Sequence, residues 1–168
     1  MKSLKTAVLL LLFSTTFSAC EKDDICVDGN TPLLVIGFYD AEDREELKEV
    51  PTLVVRGDDG SGIERAVIAF TDLSSVSVPL RPYSLSTEFT ISRNLTATDT
   101  TTVNVDTVSF SYETTEKFVS RACGFVANYD TVVGTFTEGP DAENWIQDIE
   151  VIVPLVENSN ETHVKIYH

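Results

Sequence analysis

The hexapeptide Thr107-Val108-Ser109-Phe110-Ser111-Tyr112 alternates hydroxylated and large apolar side chains without a break. Successive side chains of a β-strand point to opposite faces, so this stretch sets Val108, Phe110 and Tyr112 on one face and the hydroxyls on the other. The same period of two recurs in Leu34, Ile36 and Phe38 and again in Val76, Val78 and Leu80. Similar runs occupy 52–56, 66–70, 85–92, 117–121, 125–133, 147–153 and 162–167. Short alternating runs separated by turn residues predict an all-β domain, a single antiparallel β-sandwich, immunoglobulin-like or Greek-key, of about 8–10 strands over 31–168. Residues 41–50 depart from the pattern: Glu, Arg, Leu and Lys fall at helical spacing before Pro51, which predicts one or two helical turns in a crossing loop. The stretches 57–62 and 94–104 read as exposed loops, and Trp145 as a core aromatic.

With 168 residues, 42% of them hydrophobic, the chain is long enough for one domain with a filled core. No internal repeat or second domain is visible. The chain carries 12 basic and 27 acidic residues. Without Lys2 and Lys5, which lie in a segment read below as cleaved, the balance is 10 minus 27, or −17. That sign repels phosphate backbones and anionic lipid surfaces, so nucleic acid is excluded as a partner class and solubility is favoured.

The first twenty residues carry a different signal. Two lysines precede the unbroken apolar run from Ala7 to Phe13, and small and hydroxylated residues follow from Ser14 to Ala19. This order of charged, apolar and small-residue regions predicts a cleaved signal peptide over 1–19, with an apolar run too short to span a bilayer. Ser18-Ala19-Cys20 resembles a bacterial lipobox, with Phe17 where leucine is usual. The resemblance implies acylation of Cys20, which then begins the mature chain and anchors it to a membrane. Glu21, Lys22, Asp23 and Asp24 directly behind it are similar to the surface-export signal of Bacteroidota lipoproteins, within a lipidated acidic tether over 20–30. The expected location is the outer membrane, on the exterior face, with the periplasmic face as the alternative.

Setting Cys20 aside leaves Cys26 and Cys123, an even number for an oxidising compartment, and the natural disulfide pair. Zinc has less behind it, since His163 and His168 lie near the C-terminus without CxxC or HxxxH spacing. A reactive thiol would leave Cys26 unexplained.

Candidate chemistry beyond this is sparse. No GxSxG elbow accompanies the serines, and His163 is the only histidine before the final residue. Paired carboxylates such as Glu45-Glu46 arise readily among 27 acids, and Gly134 and Gly139 belong to no phosphate-cradling array. Arg56-Gly57-Asp58 spells an integrin-type tripeptide that a turn explains equally well, and 58–64 only faintly resembles a calcium loop. No cofactor and no metal are expected. Asp99-Thr100-Thr101 looks like a Bacteroidota O-glycosylation sequon, which implies Thr100 as a modification site.

The CEKDDIC start (20–26), the strand that ends in Phe38-Tyr39-Asp40 and the FVSRACGF segment (118–125) together resemble a family of small Bacteroidota lipoproteins classed as a domain of unknown function. The resemblance runs from the signal to about Val153 and brings no activity with it. Within FVSRACGF, Arg121 reads as a strand arginine that could meet a partner's carboxylate. The leading expectation is a non-enzymatic, lipid-anchored binding or scaffold domain for another envelope component, such as an outer-membrane β-barrel protein. The alternatives are a glycan-binding or adhesive module that uses exposed Tyr and Trp, and a hydrolase with a carboxylate site.

Overall fold

A computed structural model of the chain describes residues 25–26, 30–58, 63–94, 103–138 and 144–168. Among them nine strands follow in order: β1 (Leu34–Tyr39), β2 (Val50–Asp58), β3 (Glu64–Leu73), β4 (Ser75–Val78), β5 (Ser86–Arg93), β6 (Asn104–Ser120), β7 (Gly124–Glu138), β8 (Asp148–Val151) and β9 (Val164–Tyr167). They form two sheets, β4-β1-β9-β8 and β3-β2-β5-β6-β7, packed face to face as a β-sandwich.

The alternation quoted above runs through the middle of β6. Asp106, Val108, Phe110 and Tyr112 are buried while the residues between them are partly or fully open. From the five-stranded sheet Leu53, Val55, Phe89, Ile91, Val108, Phe110 and Tyr129 enter the core; Leu34, Ile36, Phe38, Val76, Val78, Val164 and Ile166 enter it from the four-stranded sheet. Each buried side chain of this size stabilises the fold by about 1.5–3 kcal/mol, which is why the pattern decides the architecture. Trp145 lies in the core at 2% exposure, as the sequence predicts.

Four features depart from the sequence reading. The pair β1–β9 is parallel, Ile36 opposite Val164 and Tyr39 opposite Tyr167, so the sandwich is not wholly antiparallel. The strand order also differs from the immunoglobulin one, in which the first two strands share a sheet; here β1 and β2 lie in opposite sheets. Residues 41–50 hold no helical turn: 41–46 form bends and a turn, Leu47 bridges to Tyr39 and Val50 opens β2. The Asp40 carboxylate takes the N–H groups of Glu42 (2.7 Å) and Asp43 (3.1 Å), and Lys48 N–H returns to the Phe38 carbonyl. A side-chain acceptor that competes for backbone donors favours a turn over a helix, and this segment has no apolar stripe to bury. Finally, Gly57 and Asp58 belong to β2 and not to a loop; a Cβ at Gly57 would stand 2.9 Å from the Phe89 ring, which explains the glycine.

Asp106 is the fully buried acid of β6. Its Oδ2 accepts the backbone N–H groups of Trp145 (3.0 Å) and Ile146 (2.8 Å), and the Trp145 indole N–H donates to the Ile91 carbonyl at 3.3 Å. The carboxylate thereby holds the segment before β8 across the end of the core.

His163 is also buried. Its ring Nδ1 accepts the Val35 N–H at 3.1 Å and its backbone N–H donates to the Val35 carbonyl at 2.9 Å, which locks it beside the start of the β1–β9 pairing. Burial lowers its pKa from 6.5, and that of His168 likewise. A lowered folded value means that the unfolded chain takes the proton first. Stability is therefore complete above pH 6.5 and falls as pH drops below it, by up to about 1.4 kcal/mol per pH unit for each histidine. Urea unfolding at pH 7 and pH 5 should show this loss, and His163→Asn, which keeps an acceptor for Val35, should reduce it.

Candidate functional site

The β6–β7 hairpin is the longest element, with strands of 17 and 15 residues. Its last pair with β5 is Ser86–Ser111, so the remainder projects past the five-stranded sheet. At its base Tyr112 and Tyr129 meet edge to face at 5.0 Å. The Tyr129 hydroxyl donates to the Leu80 carbonyl at 2.9 Å, and burial pushes its pKa up to about 12. The Tyr112 hydroxyl donates to the Arg81 carbonyl at 2.9 Å. These two bonds fix the loop 80–85 against the hairpin, and on it Tyr83 stands 96% exposed.

Beyond Tyr129 the inward-facing register continues without a core to cover it. Phe118 pairs with Phe125 across the strands, their rings edge to face at 5.3 Å, and both are more than half exposed. Thr31, Tyr83, Thr114, Glu116, Phe125 and Ala127 border an open groove of about 360 Å³ along this face. The hairpin closes through residues 121–123, where Ser120 Oγ accepts the Cys123 N–H at 3.1 Å and Gly124 takes φ +71°, a conformation open to glycine and costly for side chains with a Cβ. Cys123 forms a disulfide with Cys26, Cα to Cα 4.8 Å across 97 residues of sequence. The bond ties the N-terminal segment to the tip of the hairpin. Arg121 is exposed in the closing turn, so it is a turn residue and not the strand arginine expected from sequence; of the 117–121 run, residues 117–120 belong to β6.

A second polar cluster lies on the four-stranded sheet. The Arg44 guanidinium stacks 3.6 Å above the Tyr167 ring and bonds Asp148 at 2.8 Å, while the Tyr167 hydroxyl donates to Glu150 at 2.8 Å. Lys165 sits 4.6 Å over the Tyr39 ring and reaches Glu45 at 3.4 Å. Tyr167 and Asp148 raise the Arg44 pKa. Each cation already has a carboxylate, so the cluster fastens the 41–48 loop to the sheet and leaves no vacant anion site.

Asp40 is held down to about 2 by Lys48 and the backbone N–H groups of Asp43 and Glu42, the opposite of what a general acid needs. Among the described residues no three of His, Cys, Asp and Glu converge as a metal-binding group. Trp145 faces the core, Tyr112, Tyr129 and Tyr167 are buried and Tyr39 is half-buried beneath Lys165, which leaves Tyr83 as the fully exposed member of the Tyr and Trp set that a sugar platform would use. Cys20, the Glu21–Asp24 stretch, Thr100 and the centre of the 58–64 acidic loop fall outside the described residues, as does the signal segment.

A family profile described as "Family of unknown function (DUF6452)" matches residues 52–168. The chain belongs to the DUF6452 family. No curated protein and no solved structure matches it. The DUF6452 match runs past Val153 to His168, further than the resemblance drawn from sequence, and begins within β2. Yet β1, before the matched span, is hydrogen-bonded between β4 and β9 in the middle of its sheet. The folded unit therefore extends N-terminally beyond the DUF6452 match, at least to the Cys26 end of the disulfide.

Sequence reasoning missed Asp106. The available signal was its parity with Val108, Phe110 and Tyr112, which puts an acid on a core-facing position.

Proposed function

We propose that this DUF6452 chain is a lipid-anchored, non-enzymatic β-sandwich domain of the bacterial outer membrane, facing the exterior, that binds another envelope component such as an outer-membrane β-barrel protein. The observation that carries the reading is the Cys26–Cys123 disulfide. It accounts for two of the three cysteines, as an oxidising compartment allows, and leaves Cys20 as the odd one at the end of a signal-like segment. Acylation there supplies a role for the thiol left over by the cysteine count. A binding role, not a catalytic one, is favoured by carboxylates and cations that are already matched to one another, as at Arg44 and Asp40. Exposed apolar side chains elsewhere on the domain, Leu47, Val133 and Ile152 among them, supply contact area.

Cys20→Ser expressed in a lipidating bacterium should leave the membrane fraction and lose incorporated palmitate. Retention of both would sink the anchor. Protease shaving of intact cells should release the domain if it faces outward, and crosslinked pull-down of the tagged wild-type chain should enrich an envelope protein over an unrelated lipoprotein control. Recovery of nothing above that control would count against the binding role.

A further inference from the structure

We infer that the tip of the β6–β7 hairpin seats in the interface of the bilayer that holds the lipid anchor, so that the domain stands on the membrane by this end. The inference rests on the anchor reading above and adds an orientation to it. Its first support is length. Cys20 and Cys26 are six residues apart, a reach of at most about 22 Å even when fully extended. Because Cys26 is bonded to Cys123, that reach is measured from the hairpin tip and not from a flexible chain end. The tip cannot stray further than that from the headgroups.

The second support is what the tip presents. Ile25, Phe118 and Phe125 are 83%, 56% and 64% exposed, gathered around one disulfide, and Phe118 and Phe125 form a ring pair with no core against it. Tyr83 borders the same groove as Phe125. Aromatic and aliphatic groups at the end of a rigid hairpin suit the boundary between headgroups and acyl chains, where a tyrosine keeps its hydroxyl in water.

The third is charge. Lys117 and Arg121 are the only basic residues between Arg93 and Lys165, and both lie in the last turn of the hairpin and the strand leading to it. Long cations there reach headgroup phosphates while their stems follow the apolar surface. Between Thr114 and Asn128 these two cations stand against one acid, Glu116, while the domain as a whole is strongly acidic, which favours contact by this end.

The test uses the acylated full-length mature chain in vesicles of brominated phosphatidylcholine. Single substitutions Phe125→Trp and Val133→Trp place a reporter at the tip and at an exposed position eight residues back along β7, about 26 Å away at strand rise; buried Trp145 supplies a common background. Phe125→Trp should lose emission to the bromine and shift to the blue, and Val133→Trp should do neither. Three results overturn the inference. If the protein floats with the vesicles but both reporters stay unquenched, the anchor stands and the seating fails. If the protein does not float, the anchor reading fails and the seating falls with it. If a photocrosslinker in place of Phe118 joins two copies and not lipid, the tip is a self-association surface.

Discussion

Cys123→Ser should lower the unfolding free energy by about 4–5 kcal/mol, the loop-entropy value for a closed loop near 100 residues. This is the largest single effect expected of any side chain in the domain. The bond confines the unfolded chain between Cys26 and Cys123, 97 positions apart, while its loss exposes little core in the folded state. The loss should therefore appear at equilibrium, in urea titrations, with far-ultraviolet circular dichroism of the folded state unchanged. Cys26→Ser should give the same value and the double substitution no more than either, since one bond is removed in all three cases. A loss under about 1 kcal/mol would show that the loop was already constrained in the unfolded state. Reduction of the wild-type chain by dithiothreitol should reproduce the substitution.

Asp106→Ala should cost about 4 kcal/mol. It strands the backbone N–H groups of Trp145 and Ile146 in a buried place, each at ~1–3 kcal/mol, and so loosens the segment that carries the indole, whose own bond to the Ile91 carbonyl remains. Asp106→Asn keeps an oxygen in position and should cost clearly less. Near-ultraviolet circular dichroism of the single tryptophan is a second readout, and it should weaken in Asp106→Ala. If the alanine and asparagine substitutions are equally mild, ordered water satisfies the two donors and the carboxylate does not organise this segment.

Much of the fold could be read from residues whose neighbours on the same face are all alike. Val108, Phe110 and Tyr112 announce an inward face because burial imposes a period of two. Where the hairpin leaves the core, that constraint ends. Glu113 to Glu116 break the alternation, and one long strand then reads as two short ones. The loop at 41–48 misleads for a related reason: its charges fall at helical spacing, but the decisive interaction is the local Asp40 carboxylate, which periodicity does not register. The parallel β1–β9 pair was hidden because it joins segments more than a hundred residues apart, and no local pattern reports the partner of a strand. At the candidate site the disulfide followed from counting cysteines. The exposed Phe118–Phe125 pair did not, since an aromatic pair on a strand reads as core until the sheet above it is known to stop.

The position of β9 between β1 and β8 has a consequence for the order of events during synthesis. β1 emerges early and finds β4 nearby, but one of its two edges stays unpaired until Val164 to Tyr167 have been made. The four-stranded sheet thus closes only once β9 has been made, around contacts of high sequence separation, a topology that folds slowly. Until then the chain remains unlocked, with apolar strand edges open to whatever holds it. Synthesis of Val164 to Tyr167 is therefore the step that commits the four-stranded sheet.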